Sequence, residues 1–305
     1  MLSGCITALV TPFRKGRLDI AGLRTNVRFQ LANQADGLLV GGSTGEAASL
    51  SVNEWERAVV TVVAEVSGRV PVLVGAGTNS TSKSVEQVRR ARRLGADAAL
   101  VVAPYYVKPT QEGLYYHFRT IAEEVDLPVV VYNIPGRTAS NILPETVERL
   151  AKDCPQVVAV KEASGILDQS TEIVSRCAER IAVLSGDDSL TLPILSVGGK
   201  GVVSVVSNIV PQDVAALVKH FRNGETGAAL RLHQRLYPLI KAVFVETNPI
   251  PIKAAMDMLG YPAGSPRLPL TPLSRQGRQV VERALRAYGL LPRFGDSGLK
   301  YRVEL

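Results

Sequence analysis

The chain offers five groups of side chains with the right type and placing for chemistry. Lys161 ends the apolar run Val157–Val158–Ala159–Val160–Lys161. An ammonium at the end of a buried run loses its hydration, which frees the amine as a nucleophile toward carbonyl carbon. The plainer role is a lysine that pairs with Glu162 or reaches out to solvent. Tyr132 ends the run Pro128–Tyr132 in the same way. Its hydroxyl could shuttle protons while an imine forms, or it could simply bond a backbone carbonyl. Arg137 lies in Asn133–Ile134–Pro135–Gly136–Arg137–Thr138, where a guanidinium could grip a carboxylate with two parallel bonds or form a surface ion pair. In Gly41–Gly42–Ser43–Thr44–Gly45–Glu46 the glycines let backbone N–H groups approach a ligand, and Ser43 and Thr44 add hydroxyls. That suits a small carboxylate, and equally a tight turn capped by a hydroxyl. Gly186–Asp187–Asp188 follows another apolar run and also reads as the start of a helix.

These groups need a scaffold that brings them together. Short runs rich in Val, Leu and Ile recur at Ile6–Val10, Gly37–Val40, Pro71–Val74, Ala98–Val102, Pro128–Tyr132, Val157–Lys161, Ile181–Ser185 and Gly201–Val205. They do not alternate with polar residues, as expected of parallel strands buried on both faces. Their spacing of roughly 20–35 residues is that of a βα unit. Helical signals fill the gaps. Ser51–Val52–Asn53–Glu54 is a capping box ahead of the stripe Trp55, Val59, Val62, Val63 and Val66. A helix over Thr81–Leu94 is closed by Gly95, and Pro144 and Pro211 suit first helical turns, with Gly224 ending the second of these helices. Eight such units predict an α/β fold, a (β/α)8 barrel over residues 1–224. A helical region over 225–292 follows, with helices at Gly227–Phe244 and Ser274–Tyr288 and a proline-rich link between them. Residues 293–305 form a polar tail. In such a barrel catalytic groups sit at the C-terminal ends of the strands. Four of the five groups follow strands two, five, six and seven, so barrel closure would gather them at one mouth. The rival, an open doubly wound sheet, wants a nucleotide fingerprint, and Gly75–Ala76–Gly77–Thr78–Asn79–Ser80 lacks its third glycine.

Composition removes other chemistries. The three cysteines, Cys5, Cys154 and Cys177, are widely spaced and form no CxxC pair, so reduced structural thiols are expected. The three histidines, His117, His220 and His233, fall in no metal-ligand spacing. No metal site is expected. Apolar residues make up 46% of the 305, enough for a large core, yet no run approaches the ~20 needed to span a bilayer. The first ten residues lack a secretory pattern, and the expected compartment is the cytoplasm. The net charge of +7 raises nucleic acid as a partner. Its densest cluster, Arg89, Arg90, Arg92 and Arg93, sits on a helix and reads as a solvated face, so no nucleic-acid partner is expected.

Taken together, Gly42–Glu46, Tyr132–Thr138, Val160–Gly165 and Ser185–Asp188 resemble the pyruvate-dependent class I aldolase family, which includes N-acetylneuraminate lyases. The resemblance runs from about Gly4 to Leu291. Pro104–Tyr105–Tyr106 with Gln111–Tyr115, Phe244–Lys253 and Arg267–Pro272 resemble the branch that condenses pyruvate with L-aspartate 4-semialdehyde in lysine and diaminopimelate biosynthesis.

The resemblance implies a Schiff base between Lys161 and pyruvate, with Tyr132 as general acid and base and no cofactor beyond the imine. Ser43 and a neighbouring subunit's copy of Tyr106 would complete a hydroxyl relay. Thr44 and the backbone at Val203 would contact pyruvate, and Arg137, Gly186 and Asn248 would hold the second substrate. A homotetramer built as a dimer of dimers is implied as well. Many members of that branch carry threonine where Ser43 stands; the hydroxyl is kept. Lys83 occupies a position where lysine-inhibited members often carry a carboxylate or histidine, and Trp55 at the companion position decides little. Weak or absent inhibition by lysine is therefore expected. Two alternatives stand beside this reading. One is an aldolase for N-acetylneuraminate or a 2-keto-3-deoxy sugar acid, against which Arg137 and Phe244–Lys253 speak. The other is a non-catalytic carboxylate-binding barrel, against which the retained Lys161, Tyr132, Tyr106 and Ser43 speak.

Overall fold

The structure is a computed structural model that describes residues 2–177 and 179–292. The predicted tail 293–305 lies outside the described residues. Eight parallel strands follow one another around a closed barrel: β1 (Gly4–Ala8), β2 (Gly37–Val40), β3 (Val72–Gly75), β4 (Ala98–Val102), β5 (Val129–Asn133), β6 (Val157–Glu162), β7 (Ala182–Ser185) and β8 (Gly201–Ser204), which pairs back onto β1. All eight predicted strands are present, with ends shifted by at most two residues. The apolar runs are uninterrupted because both faces are covered. Ile6, Leu39, Leu73, Val130, Ala159 and Val203 fill the barrel interior, while Val129, Val131 and Val160 on the alternate positions join the layer between strands and helices.

The helices between strands are α1 (Ile20–Ala32), α2 (Val52–Val66), α3 (Thr81–Arg93), α4 (Gln111–Glu124), α5 (Pro144–Asp153), α6 (Leu167–Cys177) and α7 (Thr191–Ser196). The capping box ahead of α2 forms as read: Ser51 Oγ accepts from the Glu54 backbone N–H, and the Glu54 carboxylate accepts from the Ser51 N–H. The basic cluster on α3 is an outer face paired with acids, Arg89 with Glu124, Arg90 with Glu56 and Glu86, and Arg92 with Asp126.

After β8 come α8 (Pro211–Arg222), α9 (Thr226–Val243), α10 (Ile250–Met258) and α11 (Arg275–Tyr288). Their apolar faces share one core with Cys5 and Val202 of the barrel, through Leu236, Ile252, Val281 and Leu285. The segment read as a proline-rich link is thus corrected, since it contains α10. Pro249 caps that helix and Pro251 lies in its first turn, where a missing N–H costs no intrahelical bond. A second unforeseen element is a small hairpin, Phe13–Arg14 with Arg17–Leu18. Lys15 and Gly16 turn it with φ of 52° and 73°, the left-handed pair that a two-residue hairpin loop requires.

Candidate active site

Strand register decides which side chains meet. Tyr132 on β5 stands directly beside Lys161 on β6, and the next pair is Asn133 beside Glu162. Successive residues of a strand point to opposite faces, so Tyr132 and Lys161 enter the barrel while Asn133 and Glu162 face the helices. Lys161 is 6% exposed, and its Nζ lies 4.0 Å from the centroid of the Tyr132 ring. Among the described residues it forms no ion pair with a carboxylate. The pairing of Lys161 with Glu162 considered from sequence does not occur, because Glu162 is engaged elsewhere. Its Oε2 accepts from Asn133 Nδ2 at 3.0 Å and Gln169 Nε2 at 3.1 Å, and its Oε1 accepts from the Ser164 N–H at 2.6 Å. Asn133 Oδ1 accepts in turn from the Ile142 N–H at 2.9 Å. A clamp of buried amides and one carboxylate therefore grips the ends of β5 and β6 from behind.

Above Tyr132 a cavity of about 530 Å³ opens, lined by Ser43, Tyr132, Arg137 and Asn248 among others. Lys161 is not on the cavity wall itself; it lies against Tyr132, which is. Gly186 follows β7, and a Cβ there would stand 3.1 Å from Lys161 Cε and 2.6 Å from Ala163 Cβ. Glycine at 186 thus leaves the lysine stem its path. Thr44 is buried and its Oγ1 accepts from Asn248 Nδ2 at 2.9 Å. Asn248 Oδ1 is buried with no protein partner among the described residues. Arg137 lies in a short helical turn, Pro135–Thr138, and is exposed toward the cavity; it donates to the Asn248 carbonyl at 3.1 Å. Val203 sits in the barrel interior on β8, level with Ile6. Tyr106 does not line this chain's own cavity. It is 87% exposed on the β4–α4 loop, with φ 75°.

Asp188, left open from sequence, is buried and structural in its contacts. It accepts from Ser204 Oγ at 2.5 Å and from the N–H groups of Val205 and Val206 at 2.9 and 3.2 Å. Burial pushes its carboxyl up to about 6. It thereby ties the end of β7 to the end of β8, next to Val203.

Sequence reading missed a second buried lysine. Lys253 on α10 donates to Glu46 Oε1 at 2.6 Å and to the Thr11 carbonyl at 3.1 Å, and both charged side chains are 1% exposed. Loss of hydration holds the Lys253 ammonium below the usual lysine range, against the pull of Glu46. Its Nζ also lies 4.3 Å from the Phe13 ring centroid, and the Arg267 guanidinium covers that ring at 4.2 Å. The available signal was a lone charge in each of two apolar settings, Glu46 ahead of Ala47–Ala48 and Lys253 between Ile252 and Ala254–Ala255.

The arrangement offers a desolvated primary amine against a phenol, hydroxyls and a half-engaged amide around a cavity, and a guanidinium at its rim. Such a set can form an imine with a small keto acid and hold a carboxylate. Known proteins agree. The Dihydrodipicolinate synthetase family matches residues 1–288. The 4-hydroxy-tetrahydrodipicolinate synthase of Syntrophobacter fumaroxidans is 49% identical over 292 residues, covering 95% of this chain and all of that one. The crystal structure of dihydrodipicolinate synthase from Thermotoga maritima superposes with a TM-score of 0.94 at 45% identity, over 95% of this chain and 100% of that one. A dihydrodipicolinate synthase variant described as monomeric superposes with a TM-score of 0.93 at 45% identity, over 95% of this chain and 97% of that one. Barrel, site and relatives converge, and the chain belongs to the dihydrodipicolinate synthetase family.

Proposed function

We infer that the chain condenses pyruvate with L-aspartate 4-semialdehyde to 4-hydroxy-tetrahydrodipicolinate, a lyase reaction of lysine biosynthesis that proceeds through a Schiff base on Lys161. The observation that carries the reading is the Lys161 amine, 6% exposed and without a carboxylate partner among the described residues, 4.0 Å from the centroid of the Tyr132 ring that lines the cavity. The neutral amine attacks the pyruvate ketone and water leaves, giving an iminium. The iminium draws electrons from the methyl group, which gives up a proton to become an enamine carbon. That carbon attacks the aldehyde of the second substrate, and the new alkoxide takes a proton. The substrate's own amine then adds to the imine carbon, closes the ring and releases Lys161.

Tyr132 moves the protons in these steps, in a relay with Ser43 and a neighbouring subunit's copy of Tyr106. Thr44 and the backbone at Val203 contact pyruvate. Arg137 takes the carboxylate of the second substrate, with Gly186 and the free Oδ1 of Asn248 nearby. The iminium is itself the electron sink, so the reaction calls on no further cofactor. Exposure of Tyr106 supports a homotetramer of tight dimers in which that side chain enters a partner's cavity. As a step of amino-acid biosynthesis the reaction belongs in the cytoplasm. Lysine should inhibit weakly or not at all, because the exposed Lys83 ammonium sits in the groove beside Trp55; strong inhibition at sub-millimolar lysine would overturn this.

The deciding experiment is turnover of pyruvate with L-aspartate 4-semialdehyde, coupled to the next reductase of the pathway, for wild type and Lys161→Ala. Turnover that vanishes in the variant supports both reaction and nucleophile. A wild type that forms a borohydride-trapped pyruvate adduct but turns over no semialdehyde would transfer the reading to a sugar-acid aldolase.

A further inference from the structure

One buried pair of charges at the barrel mouth belongs to no chemical step above. Lys253 and Glu46 have side chains 1% exposed and meet at 2.6 Å. Glu46 Oε2 also accepts from the Arg267 N–H at 2.9 Å, and Thr11, whose carbonyl accepts from Lys253, donates its hydroxyl to the Gly45 carbonyl at 2.7 Å. Glu46 holds φ at 53°, a left-handed conformation uncommon for a non-glycine residue. A buried ion pair is a poor source of stability, since desolvation offsets the attraction and apolar residues of similar size often serve as well. What the pair does provide is a fixed position for the segments that carry it.

Both segments reach the cavity wall, one through Ser43 and Glu46 and the other through Asn248 and Pro249. Glu46 lies two residues beyond Thr44, and Lys253 five beyond Asn248. Asn248 Nδ2 donates to Thr44 Oγ1 at 2.9 Å, and its carbonyl accepts from Arg137 at 3.1 Å. A continuous line of contacts thus runs from the ion pair to both substrate positions. We propose that the Glu46–Lys253 ion pair is a positioning strap that fixes Thr44 and Asn248, and through Asn248 the Arg137 guanidinium, so that the pyruvate position is held in register with that of the second substrate. This rests on the roles proposed above for Thr44 and Arg137.

The test is the double variant Glu46→Gln/Lys253→Met, which removes both charges at similar volume and leaves no lone buried ion. Its melting temperature should stay near wild type. The KM for L-aspartate 4-semialdehyde should rise about tenfold. The pyruvate concentration that half-saturates borohydride trapping on Lys161 should rise about threefold. A folded double variant with both quantities within about twofold of wild type overturns the proposal. Should the double variant fail to fold, Glu46→Asp, which keeps the charge but withdraws it by one methylene, must shift the same two quantities in the same direction, and no shift is equally fatal. If wild type traps pyruvate but turns over no semialdehyde, the reaction assigned above fails instead. The trapping measurement alone then decides the strap, a raised half-saturation supporting it and an unchanged one overturning it. A wild type that traps no pyruvate removes both.

Discussion

Two lysines are buried at the mouth of this barrel, and their surroundings make them opposites. Lys253 has a carboxylate at 2.6 Å and a carbonyl at 3.1 Å, so its ammonium is neutralised and its protons are committed. Lys161 has the face of a tyrosine ring at 4.0 Å and no acidic partner among the described residues. Both are buried; only one has been given a counter-ion. Desolvation alone therefore does not make a lysine a nucleophile. The distinguishing feature is the withheld counter-ion, which leaves the amine uncommitted beside the Tyr132 ring.

The contrast can be broken most severely at Lys161. Lys161→Ala should lower turnover by about 10³-fold or more and abolish the borohydride-trapped pyruvate adduct, read by mass spectrometry, while the fold survives. Lys253→Ala should do the reverse. It strands the Glu46 charge in the interior, so denaturant unfolding should show a loss of about 3–5 kcal/mol, whereas the folded fraction still traps pyruvate. An adduct that disappears in Lys253→Ala but persists in Lys161→Ala would exchange the two assignments.

A finer cut separates the phenol from the ring. Tyr132→Phe keeps the aromatic face beside Lys161 and removes the hydroxyl. We expect kcat to fall about 10²-fold with the adduct still formed, more slowly; an unchanged kcat would move the proton shuttle elsewhere. The smallest effect is expected on the outer side of the Lys253 region. The Arg267 guanidinium holds the Glu54 carboxyl down to about 2 from its ordinary 4.5. A depressed folded-state value means stabilisation that is complete above the ordinary carboxylate range and is lost as the pH falls from about 4.5 toward about 2. Glu54→Gln should therefore cost about 1–2 kcal/mol at neutral pH, and the difference from wild type should shrink as acid is added. A difference independent of pH would assign the loss to the capping box ahead of α2 instead.

The barrel and the position of Lys161 were both legible in the sequence, for the same reason. Runs such as Val157–Val160 show where the chain is buried on both faces, and a charge at the end of such a run stands out. Pairing across the fold was not legible. Glu46 and Lys253 lie in segments that attracted notice for other reasons, but they are 207 residues apart, and nothing local in either predicts the other. Helix α10 was hidden by its own prolines, which sit where a helix begins and so look like a linker. The hairpin at Lys15–Gly16 was too short to leave an alternating pattern. The clamp behind Lys161 joins residues of β5, β6, the segment before α5, and α6. Periodicity reports which face a residue occupies, and it is silent on which amide will meet which carboxylate.

That clamp has a consequence for how this segment can change over generations. Lys161 and Glu162 are neighbours on one strand, one directed inward and the other outward. A deletion or insertion of a single residue ahead of them within β6 would exchange the faces to which they point. A deletion would put the carboxylate where the amine stands, and an insertion would press the ammonium into the clamp, whose amides offer it no counter-ion. Either event removes the amine from beside Tyr132 and empties the clamp of its carboxylate. The strand can accept substitution along most of its length, yet its reading frame relative to β5 is effectively locked, so sequence drift here should be a matter of replaced letters and almost never of added or missing ones.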